Sequence, residues 1–376
     1  MADRPGRRVL QIVGLLSVDG AYGGPTVVAI GQSRALAEAG HQPTLLTGWD
    51  GAAAAPAELR VVRRRAWKLA RRSFASLVSP SMLLWFLVRA RRFDVVHVHM
   101  ARDLLTLPLA GLALLLRIPL VVQTHGMIIE DGRRSVRALD AVLTRRVLRR
   151  ASVLIALTPA ERTSLLRLGA RADRIVLLPN AAPVTRDHAR FAEHGAVVFF
   201  VSRLAARKRP VAFVETAALV AARRADVRFE IWGPDGGELP AVLDAVARLR
   251  LGDSCAYRGA ASMDRAQEVL AVGQVLVLPS FAEPYPMVVL EAMALGLPAV
   301  ITSETGLSER LGVAAAAAIT SGEPAEMASA VLRLLAGRDA WTEMSEKAKA
   351  LAVGEFGPEA MAHALAAHYE QALTEA

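Results

Sequence analysis

Two hydrophobic rhythms alternate along the whole chain. Short, continuous apolar runs of strand length fall at 8–14, 42–47, 94–98, 119–124, 152–156 and 174–178, and again at 196–201, 227–232, 255–258, 275–278 and 298–301. Between them apolar residues recur at helical spacing: 25–39, 102–116, 134–150 and 159–168 in the first half, then 209–223, 238–250, 263–271, 287–295, 323–336 and 338–352. Uninterrupted apolar strands are those buried on both faces. Their alternation with helices predicts parallel sheets covered on each side, in the α/β class. The alternation breaks in the polar stretch from Pro179 to Gly195, which reads as an interdomain linker. The pattern therefore predicts two Rossmann-like, doubly wound domains facing a cleft, residues 1–185 and 186–356, with a final segment 357–376.

Length agrees with this division, because 376 residues exceed what one ordinary core serves. Apolar residues make up 53% of the chain and aromatics only 5%, which predicts an interior of Ala, Leu and Val and argues against disorder. The single cysteine, Cys255, excludes an intramolecular disulfide and a cysteine-based zinc site, and it fits a reducing compartment. The basic opening residues run directly into the first strand without an apolar signal region, so no secretory leader is expected. The longest apolar run, Leu104 to Leu116, is too short to span a bilayer.

Charge adds an asymmetry. The net +9 combines a basic first half, with 27 Lys and Arg against 12 Asp and Glu over residues 1–180, and an acidic remainder with 18 against 24. An anionic partner met by the first half alone is one consequence. The segment 60–92 concentrates Arg60, Arg63, Arg64, Arg65, Lys68, Arg71 and Arg72, then the apolar Met82 to Val88 with Trp85 and Phe86, then Arg89, Arg91 and Arg92. Cations flanking such a stretch suit an interfacial helix on an anionic membrane, and a core helix behind a solvated basic loop is the alternative. No recognition motif for nucleic acid accompanies the charge, so no nucleic-acid partner is expected.

Candidate chemistry clusters at strand ends. Glu283 follows the strand Val275–Leu278 in a loop, and Glu291 lies one to two turns into the next helix, which stops at Gly296-Leu297-Pro298. In open α/β sheets ligands bind at that edge, and carboxylates there accept hydrogen bonds from polyhydroxylated ligands. Arg203, Arg207, Lys208 and Arg209 crowd the first loop of the second half, just before a helix, as a diphosphate site would require. Glycines at two strand-to-helix turns, Gly23-Gly24 and Gly233 with Gly236-Gly237, allow close backbone approach to a ligand, although each also occurs in plain turns. The dinucleotide fingerprint is absent, which disfavours nicotinamide and flavin chemistry. His125, in Thr124-His125-Gly126, ends a strand and can orient a substrate or move a proton, whereas His97 reads as structural. No His, Asp and Glu set has metal-ligand spacing.

Taken together these loops resemble the family 4 glycosyltransferases, retaining enzymes of the GT-B fold that use nucleotide-sugar donors. The densest match is Glu283-x7-Glu291 followed by Ala292-Met293-Ala294-x-Gly296-x-Pro298. The early Gly-Gly, Thr124-His125-Gly126, Leu178-Pro179-Asn180, the Ser202-Arg203-Leu204 to Lys208 spacing and the Gly233 loop match in the same order, so the resemblance covers essentially the whole chain. It implies that Arg203 and Lys208 clamp the donor diphosphate, Glu291 holds the ribose hydroxyls and Glu283 bonds the transferred sugar. Gly23 and Gly24 would belong to a loop closing on the phosphates, His125 would sit near sugar and acceptor, and 358–373 would cross back onto the first domain. The family's Glu-Gly-Phe-Gly loop reads Glu283-Pro284-Tyr285-Pro286 here. Two prolines remove two amide donors, which leaves those of Tyr285, Met287 and Val288 to face the sugar.

The resemblance further implies transfer of a hexose-type sugar from a UDP- or GDP-linked donor to an acceptor hydroxyl, on a saccharide or lipid-linked acceptor, with no cofactor and no required metal. A cytoplasmic protein able to associate peripherally with the inner membrane face through 60–92 follows. The alternatives are a GT-B sugar-nucleotide epimerase or phosphorylase, and a catalytically silent sugar-nucleotide-binding protein.

Overall fold

The structure, a computed structural model, describes residues 6–16, 23–51, 53–69, 74–129, 133–185, 187–260 and 263–375. Contacts divide the chain into two compact units, residues 1–181 with 358–376, and residues 182–357.

In the first unit the strands are β1 (Arg8–Leu16), β2 (Gln42–Trp49), β3 (Val61–Arg65), β4 (Trp67–Lys68), β5 (Leu77–Val78), β6 (Val95–His99), β7 (Leu120–Gln123), β8 (Val153–Ala156) and β9 (Ile175–Leu177). Seven form a parallel sheet in the order β3-β2-β1-β6-β7-β8-β9, while β4 and β5 make a small antiparallel pair. β1 shows why its sequence is mostly apolar, with Gln11 as the one buried polar side chain. Leu10 and Ile12 enter one core with Phe86, Leu109 and Leu148, while Val9, on the opposite face, packs with Val95, Val121 and Val153. That second face is covered by the C-terminal helix Pro358–Thr374, which inserts Met361, Ala362, Leu365, Tyr369 and Ala372. Arg7 fastens the helix by a paired contact with Glu370 (2.7 and 2.8 Å), and Arg174 pairs with Glu375.

The second unit carries β10 (Val197–Val201), β11 (Arg228–Trp232), β12 (Cys255–Gly259), β13 (Val275–Leu278), β14 (Ala299–Thr302) and β15 (Ala318–Thr320). They form a parallel sheet in the order β12-β11-β10-β13-β14-β15. The chain winds outward from β10 in one direction and then, from β13, in the other, so the strand order reverses between β10 and β13. Such a reversal leaves a crevice beyond the carboxyl ends of the two strands. In the first sheet the reversal lies between β1 and β6. Residues after Ala181 are tied to the second unit, with the amide of Ala182 donating to Phe356 O (2.8 Å) and that of Ala189 to Leu295 O (2.9 Å).

The sequence pattern misses several elements, the two-residue strands β4 and β5 among them. β3, Val-Val-Arg-Arg-Arg, is a half-exposed edge strand whose cations disguise its alternation; Arg63 stacks over Trp49 at 4.7 Å. β15 and the helix Ser308–Val313 are too short to register. The helix expected over 134–150 contains a widened turn at Asp140–Thr144, where Asp140 takes two hydrogen bonds from Arg102 (2.8 and 2.9 Å). Gly23 and Gly24, expected in a loop, open the helix Gly23–Glu38. Positions 18–22 of that expected loop, and Arg71 and Arg72 of the basic segment, lie outside the described residues.

Candidate active site

The second unit gathers the cationic and acidic loops at its strand-order reversal. Arg203 and Lys208 follow β10, Gly233 follows β11, and Glu283 follows β13. The β10 and β11 loops are knitted by backbone bonds: Ser202 N donates to Trp232 O (2.9 Å), Leu204 N to Pro234 O (3.0 Å) and Gly236 N to Leu204 O (2.9 Å). Gly233 makes this approach possible. Its φ is +146°, and a Cβ there would meet Ser202 O at 1.9 Å, so only glycine fits. The β10 loop in turn holds the acidic loop, because Phe281 N donates to Arg207 O (3.0 Å).

Lys208 Nζ forms an ion pair with Glu283 Oε2, and the Arg207 guanidinium stands 3.9 Å from the same oxygen. Lys208 and Glu283 are both largely buried, with side chains 13% and 7% exposed. Burial lowers the Lys208 pKa, Glu283 opposes that effect, and the neighbouring charges of Arg207 and Arg203 lower it further. Lys208 and Arg207 thus share the Glu283 carboxylate, and the charge of Arg203 is felt at Lys208. The excess positive charge in a partly desolvated loop favours an anion with several oxygens. Ala282, with φ +46°, and Arg209, with φ +50°, are non-glycine residues held in the left-handed region within these same loops.

Glu283 is anchored from behind. Its carbonyl accepts the amide of Gly306 (2.9 Å), in the turn Thr305-Gly306-Leu307 after β14. Tyr285 is buried, and Pro286 precedes the helix Met287–Leu295. Met287 and Val288 therefore lie in the opening turn of that helix. Glu291 is one turn further on and half-buried, and burial pushes its pKa up from 4.5 to about 7. A carboxyl near half-protonation can both accept from and donate to vicinal hydroxyls.

In the first unit His125 follows β7 and takes a left-handed φ of +53°. Glu161 shapes this turn: one carboxylate oxygen accepts from Thr124 Oγ1 and Gly126 N, the other from Leu157 N (2.7 Å). Sequence reasoning passed over Glu161. Its signal was Thr158-Pro159-Ala160-Glu161, a helix-start box in which Thr158 accepts from Glu161 N (3.1 Å). The side chain of Glu161, freed from the usual reciprocal bond, reaches the histidine turn instead. His99 Nδ1 lies 2.8 Å from His125 Nε2, and the rings stack at 5.0 Å. His97 stacks on His99 at 4.6 Å and meets Tyr369 Oη through Nδ1 (3.0 Å). Gly23 and Gly24 place the amides of a helix start at the carboxyl end of β1.

The chain matches known protein families along most of its length. The glycosyl transferase 4-like domain family matches residues 23–181, and the glycosyl transferases group 1 family matches residues 195–337. The chain is 28% identical to a D-inositol 3-phosphate glycosyltransferase of Nocardia farcinica over 63% of this chain and 58% of that one. It is 29% identical to a 2-deoxystreptamine glucosyltransferase of Streptomyces kanamyceticus over 74% of this chain and 78% of that one. The chain thus spans under two thirds of the length of the inositol-phosphate relative. Among solved structures, Anabaena HepE in complex with UDP and glucose superposes with a TM-score of 0.76 at 18% identity, covering 97% of this chain and 99% of that one. Two doubly wound units, and two family matches in order along most of the sequence, make this chain a member of the group 1, family-4-like glycosyltransferases of the GT-B fold.

Proposed function

We propose that the protein is a retaining glycosyltransferase that moves a hexose-type sugar from a nucleoside-diphosphate sugar to an acceptor hydroxyl. The observation that carries this reading is the Lys208–Glu283 ion pair with Arg207 beside it and the charge of Arg203 felt at Lys208, on loops that follow β10 and β13, where the strand order of the second sheet reverses. A leaving nucleoside diphosphate gains negative charge as the glycosidic bond breaks, and preorganised cations stabilise that charge with little reorganisation. Glu291 holds the ribose hydroxyls, and Glu283, steadied by Lys208, bonds the sugar. The acceptor attacks from the face the diphosphate leaves, and a departing phosphate oxygen takes the acceptor proton, so configuration is kept without a covalent enzyme intermediate. UDP and UDP-glucose in the complexes of HepE support a UDP-linked donor.

The acceptor we infer is lipid-linked, at an anionic membrane surface. The helix Pro80–Arg89 buries Met82 and Phe86 but exposes Leu84, Leu87 and Val88, beside the exposed Arg91 and Arg92. Next to it, through Leu83, lies a groove lined by Leu115, Arg117, Val142, Arg146, Arg149 and Arg150. Apolar tips among cations favour a bilayer carrying acidic lipids, at about 1 kcal/mol per cation. None of the described helices is long and apolar enough to cross a membrane.

Melting of the protein with UDP, GDP and ADP, and with their sugar conjugates, tests the donor site. A bound nucleotide at ~100 times its Kd adds about 2.7 kcal/mol. No response to any of them overturns the reading. Hydrolysis of the stabilising donor, followed without acceptor, separates an enzyme from a silent binder. Sedimentation with vesicles of acidic lipid tests the surface: Arg91→Glu with Arg92→Glu abolishes cosedimentation, and unchanged cosedimentation removes the membrane arm.

A further inference from the structure

Three histidine rings and one tyrosine form a continuous chain from the half-buried His125 to the C-terminal helix. Its order is His125, His99, His97, Tyr369, with hydrogen-bond contacts of 2.8 Å at one end and 3.0 Å at the other, and stacked rings between them. His97 and His99 are 0% and 2% exposed. Burial drives the pKa of His97 and of His125 down to about 3 and lowers that of His99 as well, so each ring is neutral and carries one proton.

The position of that proton follows from the partners. His99 Nε2 is buried without a hydrogen-bond partner among the described residues, whereas its Nδ1 faces His125 Nε2. An orphaned buried N–H is rarer and more destabilising than an orphaned acceptor. The proton of His99 is therefore on Nδ1, donated to His125 Nε2. His125 Nε2 is then an acceptor, and the one proton of His125 is on Nδ1, which bonds to no described residue on this half-buried ring.

We propose that His99 is a positioning residue that locks His125 in its Nδ1–H tautomer, so that His125 meets a bound ligand as a fixed hydrogen-bond donor and does not serve as a general base. The tautomer of a histidine is set by the bond its other nitrogen makes. The stacked His97, tethered to Tyr369 of the C-terminal helix, keeps the His99 ring from turning. The nature of the ligand rests on the nucleotide-sugar reading above; the tautomer does not.

The test is long-range proton–nitrogen correlation NMR on the full chain labelled with 15N-histidine, with the missing signal of His125→Gln giving the assignment. At pH 7 the expected spectrum shows His125 protonated on Nδ1, the tautomer that free histidine in water disfavours. His99→Asn keeps a donor close to the place of Nδ1 and preserves that state, whereas His99→Leu moves His125 toward Nε2–H. With donor, His99→Leu weakens nucleotide-sugar binding roughly tenfold relative to the free nucleoside diphosphate, and His99→Asn restores most of it. An Nε2–H His125 in the parent protein, or one unchanged in His99→Leu, overturns the proposal. The expected spectra from a protein that binds no nucleotide sugar sustain the positioning role and refute the functional reading instead.

Discussion

Replacing Glu291 by Gln isolates the free energy held in one carboxyl. Its pKa rises from 4.5 in the unfolded chain to about 7 in the folded protein, because burial disfavours the charge. That difference corresponds to about 3 kcal/mol between the two protonation states. Below pH 4.5 folded and unfolded chains both keep the proton, and the group has no effect on stability. Between pH 4.5 and 7 the unfolded chain releases it while the folded one retains it, so stability falls as pH rises. Above pH 7 the whole about 3 kcal/mol is lost. Gln keeps the shape and cannot ionise, so Glu291→Gln should match the parent near pH 4.5 and exceed it by up to that amount at pH 8. For a unit of this size the gap corresponds to roughly 6–12 °C in melting temperature. Melting curves of both proteins from pH 4.5 to 8.5, without nucleotide, measure it. A gap that does not change with pH would refute the claim that the folded protein holds this carboxyl neutral. The same variant should bind nucleotide more weakly, so stability and affinity move in opposite directions.

The related binding reaction should release a proton near pH 7, as ribose hydroxyls stabilise the ionised Glu291; calorimetry in buffers of different ionisation enthalpy reads that release. Lys208→Met leaves the buried Glu283 with only the longer Arg207 contact and should destabilise by up to about 3–5 kcal/mol in denaturant titrations. Adding Glu283→Leu should restore much of that stability but no transfer, which separates the ion pair's structural effect from its chemical one. Glu283→Ala should lose transfer more than nucleotide affinity, with the reverse for Glu291→Ala; steady-state kinetics beside direct nucleotide titration distinguish the two. Gly233→Ala drives a Cβ into Ser202 O and should abolish the melting response to nucleotide, while Gly237→Ala, with nothing near its Cβ but a φ of +110°, strains only its own turn and should retain it.

The α/β alternation was legible because strands such as β1 and β13 are buried on both faces and are therefore mostly or wholly apolar. β3 was illegible for the opposite reason: an edge strand with a solvated face tolerates Arg63, Arg64 and Arg65, and its pattern is charge. Glu283 and Glu291 stood out through their spacing across a strand end and a helix. Glu161 did not, since a helix-start glutamate normally bonds its own cap, and nothing local reveals that this one turns to Thr124 and Gly126. His97 and His99 alternate with valines in β6, the pattern of a strand whose one face is polar, and the sequence gives no hint of what that face meets.

The sequence by itself determined which segments become strands and helices, that the two halves are each doubly wound, and which loops carry cations, carboxylates and glycines. These are consequences of periodicity and of backbone rules that act over a few residues. Only the tertiary structure decided that Lys208 and Arg207 share the Glu283 carboxylate, that Glu291 is held near neutrality, and that His125 leans on His99, His97 and the tyrosine of a helix 272 residues further along the chain from His97. Charge sharing and proton placement depend on distance and desolvation. Those are set by strands adjacent in the sheet but far apart in the chain.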